Sequence, residues 1–191
     1  ICSLLLDYPT ATLLSRLDLA RRGAGELPAY LAEPVCRLAD HLASTPLGQL
    51  QRDYVRTFDH TRRGCLYLTY FTCGDTRKRG VALVQLKQAF RRGGVELTSA
   101  ELPDHLGVVL EFGACADVDA AWRILNDYRA SLEVLRIALQ DSDSPWADAV
   151  LAVSRTLPEL AGDEAEAIAR LIEAGPPAEE VGLAPYAVDP R

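Results

Sequence analysis

A chain of 191 residues, 49% hydrophobic and 25% charged, holds enough apolar material for one buried core and does not require a second domain. Its formal charge of −7 and pI near 5.0 speak against a protein that meets phosphate backbones over its whole surface. No apolar run reaches the roughly 18–20 residues of a membrane span. Five cysteines (Cys2, Cys36, Cys65, Cys73 and Cys115) form an odd set without a Cys-x-x-Cys pair, which argues against a disulfide framework and for a reducing compartment, the cytoplasm by default. The apolar start Ile1-Cys2-Ser3-Leu4-Leu5-Leu6 ends quickly at Asp7 and Pro9 with no basic stretch before it. It is not read as a signal peptide, and the absence of a Met at its head suggests a processed start.

The hydrophobic period is helical nearly throughout. Leu13, Leu14 and Leu17 predict a first helix after Tyr8-Pro9-Thr10, with Thr10 as its N-cap. Residues 28–44 predict a second, carrying Val35, Leu38 and Leu42 at 3–4 spacing. Thr45-Pro46 restarts the chain, a capping residue followed by proline at the first helical position, and Leu47, Leu50, Tyr54 and Phe58 stripe the next helix. Leu66-Tyr67-Leu68-Thr69-Tyr70-Phe71-Thr72 has the propensity of a strand, but a strand without a partner elsewhere would be an orphan, so a buried helix is expected there. Gly74-Asp75-Thr76 reads as turn and cap for a helix over 77–92 that buries Leu83, Leu86 and Phe90 and stops at Gly93-Gly94. Val118, Trp122, Leu125, Tyr128, Leu132, Leu135 and Leu139 form the longest amphipathic pattern. Ser144-Pro145 opens another helix, Pro158 closes it, and Ile168 to Ile172 belongs to a last one. The expectation is an all-α single domain over 1–175, a bundle of about eight or nine helices, then an extended proline-containing tail over 176–191.

Candidate chemistry is sparse. His41, His60, His105, Cys65 and Cys73 are the conceivable metal ligands, but the two cysteines are too far apart in sequence for a structural zinc pair, and no metal or other cofactor is expected. There is no Gly-x-Ser-x-Gly, and the glycine pairs fit neither nucleotide-binding pattern. Asp104 and His105 are neighbours, which on a helix point about 100° apart and do not make an oriented dyad. An enzyme is not expected. From Arg52 to Arg92, ten basic residues face three acids, a net +7 that leaves −14 on the remainder. Arg62-Arg63 and Arg77-Lys78-Arg79, with Tyr67, Tyr70 and Phe71 between them, could make a nucleic-acid face, the alternative to the reading favoured below. The aromatics are needed in the core, however, and the basic and acidic segments could simply neutralise each other on folding.

The string Glu101-Leu102-Pro103-Asp104-His105-Leu106-Gly107-Val108-Val109-Leu110-Glu111-Phe112 is the most distinctive stretch. Pro103 suits a first helical turn, with Asp104 beside it where the helix dipole favours an acid. On a helical wheel Leu102, Leu106, Val109 and Leu110 face the core, while Asp104 and Glu111 lie opposite with Val108 and Phe112 beside them. Such an outer face would suit a basic amphipathic peptide helix. On geometry alone, burial of Val108 and Phe112 by a second neighbouring helix is the favoured reading, since fully packed helices are common in all-α folds.

At these residues the chain resembles the NarJ-type nitrate reductase assembly chaperones, within the wider family of redox-enzyme maturation proteins that includes the TorD and DmsD types. Three blocks carry the resemblance: Tyr54-x-x-x-Phe58-Asp59; Gly74-Asp75-x-Arg77-x-Arg79-Gly80-x-Ala82; and Glu101-Leu102-Pro103-Asp104-His105-Leu106 running to Leu110-Glu111-Phe112. Leu4-Leu5-Leu6-Asp7-Tyr8-Pro9 looks like the end of that family's first helix, and Gly107 stands where many relatives carry a second proline. The resemblance implies a TorD-like helical fold and a cytoplasmic chaperone that binds the N-terminus of the catalytic molybdenum subunit of nitrate reductase. It would hold that subunit open for molybdenum cofactor and iron-sulfur insertion before membrane docking. A related molybdoenzyme, such as a selenate, chlorate or dimethyl sulfoxide reductase, is the alternative client, and self-association is compatible with the reading. Of the matched positions, Tyr54, Phe58, Asp59, Asp75, Arg77, Arg79 and Pro103 carry the family motifs, and Arg77 or Arg79 is expected to pair with an acid near the Pro103 turn. Asp104, His105, Val108, Glu111 and Phe112 form the expected peptide surface.

Overall fold

The computed structural model describes residues 1–59, 64–74, 76–97, 101–160 and 162–174. The expected tail, His60, the Arg62-Arg63 pair and Asp75 lie outside the described residues. Among the described residues there are twelve helices and, apart from one isolated bridge, no strand pairing. In chain order they are α1 (Cys2–Leu5), α2 (Ala11–Ser15), α3 (Leu17–Ala24), α4 (Ala29–Ser44), α5 (Leu47–Phe58), α6 (Tyr70–Cys73), α7 (Arg77–Arg92), α8 (Leu106–Cys115), α9 (Val118–Asp127), α10 (Arg129–Asp141), α11 (Ala147–Ser154) and α12 (Gly162–Ala174). The all-α expectation holds. The larger number comes from short helices, since α1, α2 and α6 have only four or five residues each. No described helix is long and apolar enough to cross a membrane.

Local chemistry explains most boundaries. The Thr10 hydroxyl accepts from the Leu13 N–H at 3.1 Å and caps α2 as expected, although Arg16 then leaves the helix and separates α3. Pro46 itself, not Thr45, is the residue that precedes α5, and no side chain caps it. Thr76 caps α7, and Gly93 and then Gly94 (φ +79°) end it. Pro34 sits inside α4 and has no N–H to give the Tyr30 carbonyl one turn earlier; the Arg155 guanidinium donates to that carbonyl instead, at 2.6 Å. The long pattern over 118–139 is broken at Tyr128 (φ −105°, ψ 23°) into α9 and α10.

Most of the core is one continuous cluster. α3 packs on α4, α4 on α11, α11 on α10, and α8 on α9. The four-residue α1 lies among α4, α8 and α11, with Leu5 and Leu6 wholly enclosed. Trp146 sits beside Tyr54 and Phe58 in an aromatic cluster with centroid separations of 4.5–5.6 Å. A satellite cluster of Phe71, Val134 and Ile168 joins α6 and α12 to the far side of α10. Glu133 is buried between α10 and α11, where it accepts from Arg136 at 2.6 Å and from the Ser154 hydroxyl at 2.5 Å.

Candidate functional site

The distinctive 101–112 stretch is not one helix. The chain through Leu66, Tyr67 and Leu68 runs antiparallel to Asp104, His105 and Leu106: the Leu68 N–H donates to the Asp104 carbonyl at 2.9 Å and the Leu106 N–H to the Leu66 carbonyl at 2.8 Å. The strand propensity of 66–72 is thus expressed after all, as a single bridge, and only Tyr70–Cys73 is helical. Its partner was the segment expected to be the start of a helix. His105 is extended (φ −66°, ψ 127°), and α8 begins at Leu106, three residues after Pro103. A wheel drawn from residue 101 therefore misplaces everything before Leu106.

Asp104 is the clearest correction. It is 0% exposed and not part of an outer face. The Thr69 hydroxyl donates to its Oδ2 at 2.5 Å, and Arg79 Nη2 lies 3.4 Å from the same oxygen. Arg79 also donates from Nε to the Thr69 hydroxyl at 3.2 Å, and its guanidinium lies 5.4 Å from the centre of the Tyr67 ring. Of the two arginines expected near the Pro103 turn, Arg79 makes the pairing, while Arg77 points to solvent. Phe112 is the second correction. It is 4% exposed and stacked on Phe90 of α7 at 4.3 Å, because the end of α7 covers the side of α8 that the wheel left open. The motif residues Tyr54 and Phe58 belong to the core, where the Tyr54 hydroxyl donates to the Leu6 carbonyl at 2.9 Å; Asp59 is exposed at the end of α5, and Pro103 is buried in the turn.

What remains outward is His105, Val108 and Glu111. With Leu4 from α1, Asp7 just beyond it, and Glu101, they line an open furrow of about 410 Å³ between α1 and α8, in which Arg16 is the one cation among the described residues. The Tyr67 hydroxyl donates to Glu101 at 2.7 Å, and the His105 ring meets Tyr67 edge-on at 5.4 Å, so the furrow rim is fixed to the buried Asp104–Thr69–Arg79 cluster through Tyr67. A second cavity, about 310 Å³ and almost wholly apolar, adjoins it across Ser3 and uses the next face of α8, with Leu27, Leu31, Leu110, Val118 and Trp122 on its walls. Val118 and Trp122 are 56% and 49% exposed although their spacing suggested core positions. Neither Asp7 nor Glu101 was among the expected contact residues; both come to the furrow through long-range packing, for which local sequence holds no signal. Among the described residues no group of three or more His, Cys, Asp or Glu lies close enough together to hold a metal ion.

The rim titrates. Burial is the largest influence on His105 and lowers its pKa below the ordinary 6.5, against the upward pull of Glu101, Asp104 and Asp7. Burial acts to raise the Glu101 carboxyl, but the Tyr67 hydrogen bond, the nearby His105 and the Leu102 amide together hold it below the usual 4.5. Each group binds its proton more readily in the unfolded chain, so the stability it supports is complete above its unfolded pKa and is lost as the pH falls through the folded value. The urea midpoint is therefore expected to drop as the pH is taken from about 7 to about 5, and His105→Gln to flatten the upper part of that slope. A midpoint that rises on acidification would contradict the sign.

The described molecule is an all-helical domain that carries a polar, acidic furrow and an apolar cavity side by side. The chain belongs to the nitrate reductase delta subunit family, whose profile matches residues 24–152. It is 40% identical over 159 residues to the nitrate reductase-like protein NarX of Mycobacterium tuberculosis (strain H37Rv), covering 81% of this chain and 23% of that one. It is 38% identical over 95 residues to the probable nitrate reductase molybdenum cofactor assembly chaperone NarJ of Bacillus subtilis (strain 168), which is 50% of this chain and 52% of that one. To the nitrate reductase molybdenum cofactor assembly chaperone NarJ of Escherichia coli (strain K12) it is 34% identical over 151 residues, 77% of this chain and 64% of the relative. The chain thus spans less than two thirds of the length of each of these relatives.

Proposed function

We propose that this protein is a cytoplasmic assembly chaperone for nitrate reductase, without catalytic chemistry of its own, which holds the N-terminal segment of the catalytic subunit while molybdenum cofactor and iron-sulfur cluster are inserted. The observation that carries the reading is the 34% identity over 151 residues to a protein named as such a chaperone. The furrow supports it. Asp7, Glu101 and Glu111 offer carboxylates to basic side chains, Val108 and Leu4 offer apolar contact, and the adjoining apolar cavity would take the other side of an amphipathic helix. The peptide surface is therefore His105, Val108 and Glu111 with Glu101 and Asp7 added, and Asp104 and Phe112 act beneath it.

Calorimetry with a synthetic client N-terminus of about 15–20 residues, long enough to fold into a helix on binding, tests the proposal. Saturable binding is expected, weakened but not abolished by salt. Glu111→Lys with Val108→Asp should reduce the affinity by about tenfold or more, since one change reverses a rim charge and the other removes apolar contact. Absence of binding, or binding indifferent to this pair, would reject the furrow as the client site.

A further inference from the structure

The outer face of α7 carries basic charge that is left unpaired among the described residues. α7 contains no acid, and Arg77, Lys78, Lys87 and Arg92 are exposed and have no ion-pair partner among the described residues. Arg91 reaches Glu96 only at 4.0 Å with both side chains in solvent. With about 100° per residue, Arg77, Lys78, Val81, Val84, Arg91 and Arg92 share one face of α7, opposite the buried Ala82, Leu86 and Phe90. Val81 and Val84, 59% and 54% exposed, lie one turn apart in the middle of that face with cations at both ends. This is a basic face with an apolar middle, the chemistry proposed above for the occupant of the furrow between α1 and α8.

We propose that a second copy of this chain supplies an occupant of the furrow: the outer face of α7 of one protomer lies against Asp7, Glu101 and Glu111 of the other, and reciprocally. Three observations favour this partner. The charges are complementary, since the furrow holds three carboxylates against Arg16 and α7 holds cations alone. Each surface has apolar groups for the middle of the contact, Val81 and Val84 on one side and Leu4 and Val108 on the other. The two surfaces are also held in fixed relation on one molecule, because the inner side of α7 is tied through Arg79 to Asp104, next to His105 on the rim. A two-fold axis relating two such complementary patches forms both contacts at once and closes the assembly at two copies. A membrane suits this face less well, for its apolar content is two valines with no Trp, Phe or Leu among them. Single-stranded nucleic acid suits it less well too, because it carries no aromatic ring on which a base could stack.

Sedimentation equilibrium of the chain without any peptide tests the pairing. At roughly 0.1 mM, where a small charge-rimmed interface becomes populated, the mass is expected to rise from 20.8 kDa toward twice that value, and to fall back in about 0.5 M salt. Lys78→Glu with Arg92→Glu should weaken the association by about tenfold or more, and so should Glu111→Lys. An equimolar mixture of these two variants should associate again, because in the mixed pair both contacts regain opposite charges. A monomer at every concentration, a dimer indifferent to either variant, a mixture that fails to recover, or salt-dependent retention of duplex DNA at unchanged monomer mass would each overturn the pairing. That the client peptide would displace the second copy rests on the chaperone reading. Calorimetry of the client peptide on the Lys78→Glu/Arg92→Glu variant, monomeric by design and with an intact furrow, tests that reading separately.

Discussion

Phe112→Ala is expected to destabilise the protein by about 3–5 kcal/mol while leaving the client affinity of the folded molecule within about threefold of its starting value. Phe112 lies at the point where α8 meets the end of α7, stacked on Phe90 with an interplanar angle of 26°. The backbone is moulded to the ring: a Cβ on Gly93 would stand 2.7 Å from two of its carbons. Truncation removes the buried aromatic and leaves a hole that Phe90 and the Gly93 backbone can fill only in part, so a cavity cost adds to the lost transfer energy. Urea unfolding should show the midpoint falling with the m-value unchanged. A loss of less than about 1 kcal/mol, or a fall in peptide affinity equal to that of Glu111→Lys, would return Phe112 to the surface on which the helical wheel placed it. Gly93→Ala is expected to be costly in the natural chain and much less so beside Phe112→Ala, since the clash and the cavity occupy the same space.

The parts of this architecture written in local chemistry were legible from the sequence. Helix periodicity located α4, α5 and α7 to within a residue or two, and the Thr10 and Thr76 caps and the Gly93-Gly94 stop follow from elementary backbone preferences. The resemblance pointed to an arginine pairing near Pro103, which Arg79 makes. What escaped was everything decided by distant pairing. The bridge between Tyr67 and His105 joins segments almost forty residues apart, and neither is long enough to announce a strand. Because that bridge draws the backbone of 104–106 into an extended path, Asp104 turns inward instead of riding on the first turn of α8. Phe112 was buried by a helix whose position relative to α8 no periodicity encodes. Likewise Val118 and Trp122 fit an apolar stripe, yet they line an open cavity because no further helix covers them among the described residues. Sequence pattern says which side of a helix is apolar, and the arrangement of neighbours decides whether that side is core or binding wall.

Arg79→Met is expected to cost about 3 kcal/mol or more, a large effect for a residue outside the hydrophobic core, because it leaves a carboxylate buried without its cation. Asp104 is completely enclosed; Thr69 would be its remaining donor at Oδ2, and Oδ1 has no partner among the described residues. The charge could not escape to water without breaking the bridge that holds His105 and Leu106. Asp104→Asn should by itself cost less, since a neutral amide can still bond Thr69 and leaves Arg79, part-exposed, able to reach solvent. Introduced into the Arg79→Met background it should recover part of the loss, because the unpaired charge is then gone. If the single and double variants unfold at the same urea concentration, the cost comes from lost packing of the arginine stem over Tyr67 and not from the charge. The consequence should reach the furrow. Tyr67 carries the Arg79 guanidinium on its face, His105 at its edge and Glu101 on its hydroxyl, so loosening the cluster frees the rim that Glu101 and His105 build. Client affinity is expected to fall severalfold in Arg79→Met although Arg79 does not line the furrow, and to return in part with Arg79→Lys, which restores a cation but not the two-atom reach of the guanidinium.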